Sequence, residues 1–494
     1  METDFSEYQI KPRCPMADHQ ESYQSPFSQR YAGKQMQALF SPMHRARLFR
    51  QLWLILAQCQ QQLGLPVSDE QIRELSARVR DVDLQRVNEL EQSLRHDVMA
   101  HLKAYAEDCP LAAPILHLGA TSCYVTDNAD ILILRDAMRL VQARLVGTAR
   151  ALAAAAGQYK GLPMLGYTHF QPAQPTTLGK RLALWLQDLL MDLQELDHFL
   201  SRLRPLGSKG ATGTQASFLA LFDGDADKAV QLDRMIANSL GFEQPLALSG
   251  QTYTRKIDAL AQNVLSGIAQ SAAKFAGDLR LLQHLKEVEE PFEAAQVGSS
   301  AMPYKRNPMR AERMTGLARF ILSNAANAGH TAASQWLERS LDDSSNRRLS
   351  LAEGFLATDG LLTLYQNIVS GLVVYPGMME RNLRQELPFL ATENILMRAV
   401  KQGGDRQELH ERLRVHAMAA GRRVKEEGLP NDLLERVAGD AAFGLDLDTL
   451  DRLMDPRDYT GLAQRQVEDY LAGEAARALE TLAHLDSPQA RVSL

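Results

Sequence analysis

The run Gly298-Ser299-Ser300-Ala301-Met302-Pro303-Tyr304-Lys305-Arg306-Asn307-Pro308 gathers two hydroxyls, a phenol, two cations and an amide in one short stretch. A packed core has no use for that mixture. A loop that closes over an anionic substrate does, since small residues and a proline hinge ease lid motion. A flexible linker and a phosphate-binding glycine loop are the alternatives. The spaced glycines and the Lys-Ser/Thr ending of the latter are missing.

Five further segments carry polar chemistry. Leu94-Arg95-His96-Asp97 offers adjacent cationic donors, or else a charged helix end. Leu116-His117-Leu118-Gly119-Ala120-Thr121-Ser122 places two hydroxyls before a long helix; this is either an anion seat or an ordinary Ser/Thr cap. Gly166-Tyr167-Thr168-His169-Phe170-Gln171-Pro172 frames one histidine with prolines and glutamines. A group held that rigidly suits proton transfer near neutral pH, and a structural histidine is the alternative. Ser249-Gly250-Gln251-Thr252-Tyr253-Thr254-Arg255-Lys256 is a donor-rich approach to another helix, in which Gln251 could bind a carboxylate or a base edge. The other reading is a capped helix start with Arg255 and Lys256 solvated. Finally, Arg339, Ser344 and Arg348 could clamp a phosphate through charged and hydroxyl hydrogen bonds, or form a solvated charged turn.

The elements that must position these segments are helical. Leu134, Met138, Val141, Leu145, Thr148 and Leu152 are spaced 4-3-4-3-4, and Leu182 to Leu203 and Ala261 to Leu282 repeat the pattern. Sustained 4-3 spacing predicts long helices in a bundle. Leu182 to Leu190 carries apolar residues beyond one stripe, so its helix must be covered on more than one side; subunit association is the expected cover. Strand signals are weak throughout. Ser41-Pro42 and Ser68-Asp69-Glu70 mark helix starts around the stop at Gly64-Leu65-Pro66. Two further short helices run to Cys109-Pro110. Val374-Tyr375-Pro376-Gly377 breaks the chain before shorter helices over 408–424 and 432–437. The reading is all-α in three domains: residues 1–120, with 1–24 a loose arm, then a long-helix bundle over 121–374, then 375–494.

The 494 residues leave room for a large core. A net charge of −6 offers no basic field for nucleic acid, so any anion site is a local cluster. No apolar run approaches the roughly 18 residues of a membrane span, and no signal-peptide core precedes residue 30. Cys14, Cys59, Cys109 and Cys123 lack metal-ligand spacing and read as reduced thiols of a cytoplasmic protein.

Together the segments resemble the fumarase/aspartase superfamily, in order and spacing, from Ser25 to about Gly461. The stretches that carry the resemblance are Arg30-Tyr31, Arg95-His96-Asp97, Thr121-Ser122, Thr168-His169, Gln251, the Ser299 loop, and Arg339 through Arg348. Gln385 through Asn394 resembles the C-terminal domain of the same enzymes, and Asp455 through Gly461 is a weaker match. The Tyr304-Lys305-Arg306-Asn307 version is similar to the adenylosuccinate-cleaving branch in its longer, animal form.

That resemblance implies a three-domain fumarase/aspartase-like fold whose long helices form the core of a homotetramer, with active sites shared between subunits. It implies base-initiated elimination: adenylosuccinate yields AMP and fumarate, and SAICAR yields AICAR and fumarate. Ser299 is then the base and His169 the acid. Lys305 stabilises the Ser299 alkoxide, Asn307 binds a carboxylate, and His96 contacts the phosphate or orients the substrate. Arg30, Tyr31, Arg339, Ser344 and Arg348 hold the phosphate. Thr121, Ser122 and Gln251 hold the succinyl end, and Arg313 contacts the nucleotide. Arg95, Asp97 and Thr168 flank these groups as substrate-binding residues. Neither a metal nor an organic cofactor is expected. Two alternatives stand beside this one: another fumarate-releasing lyase of the argininosuccinate or aspartase type, and a non-catalytic, crystallin-like scaffold. The phosphate cluster argues against the first, and the presence of His169 and Ser299 against the second.

Overall fold

The computed structural model describes residues 23–293, 296 and 301–490. Ser299, Cys14 and most of the expected arm lie outside the described residues. The chain starts with one π-helical turn, Phe27–Tyr31, and a short α1 (Lys34–Leu39). Next come α2 (Pro42–Gln62), α3 (Asp69–Arg78), α4 (Leu84–Leu94) and α5 (Asp97–Asp108). Both expected caps are made. Ser41 Oγ accepts from the His44 N–H at 3.2 Å, with Pro42 in the first turn of α2. Ser68 and Gln71 exchange the two bonds of a capping box at 3.3 and 2.9 Å.

The bundle has five long helices: α6 (Ser122–Gln158), α7 (Leu178–Arg202), α10 (Lys256–His284), α11 (Met309–Ser334) and α12 (Asp343–Ser370). Short α8 (Ala216–Leu221) and α9 (Ala226–Ser239) precede α10. Leu134, Met138, Val141, Leu145, Thr148 and Leu152 of α6 are no more than 1% exposed, and the matching stripes of α7 and α10 join them in one core. The second face of α7 is bare in the single chain. Leu184 is 49% exposed and Met191, seven residues on, 59%.

Two long helices were not foreseen. In α12 every residue from Gly354 to Tyr365 is buried. A helix covered on all sides has no amphipathic period to read. The weak strand signals also concealed two ribbons. One is β1 (Pro163–Thr168) antiparallel to β2 (Gln171–Thr177); the other is β3 (Val288–Glu289) antiparallel to β4 (Val373–Val374). Pro172 and Pro175 sit in β2, which a ribbon tolerates because both its strands are edges.

Buried charges tie the helix starts at one end of the bundle. Arg255, at the start of α10, donates to Asp127 of α6 at 2.9 Å and to Asp343 of α12 at 2.7 Å, and all three side chains are no more than 2% exposed. Arg347 adds Asp258 at 2.6 Å and Asp130 at 2.9 Å, and Arg45 of α2 reaches Asp130 at 2.7 Å. The alternative of a solvated Arg255 is therefore wrong. Arg255→Ala takes from two buried carboxylates, Asp127 and Asp343, the cation they share, and breaking a buried pair costs on the order of 3–5 kcal/mol. Urea unfolding of this variant is expected to show that loss, whereas Lys256→Ala, at an exposed position, stays within about 0.5 kcal/mol of the parent.

The rest of the chain is α13 (Pro376–Leu390), α14 (Thr392–Lys401), α15 (Arg406–Glu426), α16 (Leu433–Ala438), α17 (Leu447–Arg452), α18 (Ala463–Tyr470) and α19 (Ala476–Thr481). Residues between Leu387 and Met454 build a hydrophobic cluster of their own. Val467, Ala475 and Leu482 instead join the bundle core, and Arg150 of α6 donates to the Leu482 and Leu485 carbonyls at 2.9 and 3.0 Å.

Candidate active site

The residues expected to do chemistry fall into three places. The first is the end of the bundle held by Arg255 and Arg347. Thr121 caps α6 by position, and Ser122 opens it. Cys123 lies at the centre: its thiol donates to Gln251 Oε1 at 3.7 Å, and the Arg339 guanidinium donates to its sulfur. Burial above all, with the Asp127 carboxylate adding, pushes the Cys123 thiol up to about 12, so it stays a neutral contact. The Gln251 N–H donates to the Glu338 carbonyl at 3.1 Å, which joins the two loops. Ser344 lies in the first turn of α12, and Arg348, one turn on, pairs with Asp97 at 3.2 Å.

Asp97 opens α5, and His96 caps it, its Nδ1 accepting from the Met99 N–H at 3.3 Å. Arg95 ends α4 in the left-handed region, φ 54°. Beside them is a cleft of about 460 Å³ lined by His96, Leu94, Met99, Lys103 and Leu116. His117, part of the Leu116–Ser122 segment but given no role of its own in the sequence, lies nearby. Burial, with the nearby His96 adding, lowers it to about 4. It is neutral at pH 7, and its Nδ1 accepts from Trp53 Nε1–H at 2.9 Å.

The second place is the opposite end. His169 and Phe170 are the two turn residues between β1 and β2, with φ of 52° and 56°. Positive φ at both central positions is the two-residue type I′ hairpin turn, normally filled by Asn or Gly. The expected proline-framed loop is thus a β-hairpin with His169 exposed at its tip and Thr168 beside it. Lys305 and Asn307 lie at this end too, between α10 and α11. The neighbouring Arg306 carbonyl accepts from Gln283 of α10 at 3.0 Å.

The third place is the flank of α11 and α12. Tyr31 lies there beneath the Arg313 guanidinium, 5.8 Å from ring centre to cation, with Arg30 exposed next to it.

These places are far apart. The 37 residues of α6 span about 55 Å at 1.5 Å each, with Thr121 before one end and the His169 hairpin beyond the other. Reacting groups must approach to roughly 3 Å. Among the described residues no group of three His, Cys, Asp or Glu side chains is arranged to hold a metal.

Comparison with known proteins identifies this arrangement. A family model described as Lyase matches residues 47–322, and one described as Adenylosuccinate lyase C-terminus matches 388–470. The adenylosuccinate lyase of Saccharomyces cerevisiae is 50% identical over 93% of this chain and 96% of its own. The chain belongs to the adenylosuccinate lyase family. A second adenylosuccinate lyase, from Schistosoma mansoni, is 46% identical over 94% of this chain and 97% of its own. Among solved structures, the 3-carboxy-cis,cis-muconate lactonizing enzyme of Pseudomonas putida superposes with a TM-score of 0.78 at 26% identity, covering 92% of this chain and 99% of that one. The fumarate lyase of Mesorhizobium sp. BNC1 gives 0.76 at 25%, covering 92% and 100%. The adenylosuccinate lyase family thus occupies the fumarase/aspartase-like, mostly helical fold expected from the sequence.

Proposed function

We propose that this chain eliminates fumarate from adenylosuccinate, leaving AMP, and from SAICAR, leaving AICAR. The near full-length identity to adenylosuccinate lyases carries the reading. Its test is the ultraviolet change on mixing the purified protein with adenylosuccinate. Argininosuccinate in place of adenylosuccinate should give no fumarate.

Elimination needs a base at the carbon next to a carboxylate, cations for the charge that develops, and an acid for the leaving nitrogen. Ser299, outside the described residues, is proposed as the base, with Lys305 holding its alkoxide and Asn307 a carboxylate. His169, at the exposed hairpin tip, is proposed as the acid. Thr121, Ser122 and Gln251 would hold the succinyl end, with backbone N–H groups at the start of α6 adding partial positive charge. Arg30, Tyr31, Arg339, Ser344 and Arg348 would hold the phosphate, His96 and Arg95 would orient it, Thr168 would flank the acid and Arg313 would contact the nucleotide. Asp97 would hold Arg348 until the phosphate arrives.

The separation of these groups supports a homotetramer with sites shared between subunits. The bare apolar face of α7 supports it as well. The division into domains 1–120, 121–374 and 375–494 is part of the proposal; the cluster between Leu387 and Met454 supports a separate C-terminal unit, whereas Met36, Val467, Ala475 and Leu482 pack into the bundle core and a further cluster joins Phe49 and Tyr105 to Tyr124, Ile133 and Leu232 across the first boundary. So is a cytoplasmic location; no described helix is long and apolar enough to cross a membrane.

The phosphate contacts are remote from the bond being broken, and a contact made equally in ground and transition states acts on KM rather than kcat. Losing a charged hydrogen bond is worth on the order of 1.5–3 kcal/mol, or roughly one to two decades. Arg348→Ala should therefore raise KM for adenylosuccinate by that factor with kcat nearly kept. An unchanged KM removes Arg348 from the clamp.

A further inference from the structure

The segment carrying Arg30 and Tyr31 crosses the bundle as a strap, and its fastenings lie on α11 and α12. Ser25 Oγ donates to Glu353 Oε2 at 3.0 Å. Phe27 packs on Phe320 with ring centres 4.8 Å apart. The Gly33 N–H donates to Asp359 Oδ2 at 2.6 Å. Asp359 is fully buried and also pairs with Arg144 of α6, itself 6% exposed.

Two glycines let the strap lie this close. A Cβ on Gly360 would stand 2.8 Å from Tyr31 Cβ and 3.0–3.1 Å from its carbonyl. A Cβ on Gly33 would stand 2.8 Å from Arg144 Nη2 and 3.1 Å from Asp359 Oδ2. Gly33 has φ −67° and ψ 155°, which any residue adopts, so its smallness serves clearance and not backbone freedom. Tyr31 backbone cannot rotate away from Gly360 as a side-chain tip could. The buried Arg144 head is held by its ion pair.

We propose that Arg144, Asp359, Gly33 and Gly360 form a seat that sets the height and register of the strap, making them positioning residues for Arg30 and Tyr31. The functional half of this inference rests on Arg30 and Tyr31 holding the substrate phosphate. The buried Asp359 carboxylate neutralises a buried arginine through one oxygen and takes a backbone N–H on the other, so both of its oxygens are engaged in the seat. It is not a surface pair that solvent would loosen.

The test is amide exchange over residues 25–36, together with steady-state kinetics, in Gly360→Ala and Gly33→Ala. Gly33 lies outside the bundle core, so Gly33→Ala keeps the test alive if Gly360→Ala fails to fold. Exchange in the strap is expected to quicken about tenfold or more in each variant, with the thermal midpoint of the whole protein little moved. KM for adenylosuccinate is expected to rise about tenfold with kcat within about threefold of the parent. Unchanged strap exchange overturns the seat. Faster exchange with unchanged KM overturns its positioning role, provided that Arg30→Ala raises KM. Should Arg30→Ala also leave KM unchanged, the assignment of the phosphate to Arg30 is wrong, while the exchange result still decides the seat.

Discussion

His169→Asn is expected to lower kcat for adenylosuccinate by about two to four decades, the range a positioned general acid contributes. Asparagine is the informative replacement because of where His169 sits. With φ at 52° in a two-residue turn, most side chains strain the backbone, but asparagine tolerates the left-handed region. The hairpin therefore survives and only the titratable ring is lost. His169→Ala would mix the two effects, since alanine at this φ disturbs the turn as well as the chemistry. Amide protection across residues 163–177 should match the parent in the Asn variant. Near-normal turnover with an intact hairpin would move the acid elsewhere, and His96 would be the first candidate.

The second large effect is recovery of activity from two dead chains. His169→Asn disables the hairpin end of the bundle. Gln251→Glu sets a negative charge where a substrate carboxylate is proposed to bind, about 55 Å away at the other end of α6. If each site draws these two groups from different copies, mixed oligomers contain sites lacking neither. Random assembly from equal amounts leaves roughly a quarter of sites intact, provided that the oligomer is symmetric and the two groups come from separate subunits. Co-refolded chains should then recover about that share of parental activity, against almost none for either alone. Recovery no better than either variant alone would mean that one chain brings its own two ends together, which the rigid length of α6 makes hard to arrange.

What could be read from the sequence follows from where the periodic signals are. The α7 and α10 stripes were legible because each has a dry side and a wetter side, as in Leu182, Leu186 and Leu189 against Gln187 and Asp188; the α6 stripe was legible from its 4-3 spacing, although 141–149 is buried on all sides. Ser41 and Ser68 were legible because caps are local. The helix α12 was not, since Gly354 to Tyr365 is buried all round. Nor was the β1–β2 hairpin, where two prolines and a histidine in a turn masked the strands. The candidate groups themselves were legible as types. Their supports were not: Arg255 and Arg347 look like any charged residues near a helix start, and only their carboxylate partners, some 90 to 220 positions away, make them buried. Cys123 was noted only as a reduced thiol, with nothing in the chain to suggest that it joins Gln251 and Arg339. The seat for the strap depends on clearances of a few ångströms between residues about 110 to 330 positions apart, beyond the reach of any local pattern.

The unbroken α6 also limits how such a chain can change length. Adding or removing one residue within Ser122–Gln158 would turn everything beyond it by about 100° and shift it by about 1.5 Å. The core stripe would then face the wrong neighbours, and the hairpin would leave the bundle in a new direction. The shortest insertion that nearly restores the angle is a whole heptad, and it displaces the far end by about 10 Å. For a rod that must meet complementary rods of fixed length, that displacement is no more tolerable than the rotation. Changes in length should therefore be tolerated in the loops and outer helices, and α6 acts as a gauge that the other long helices of the bundle must match.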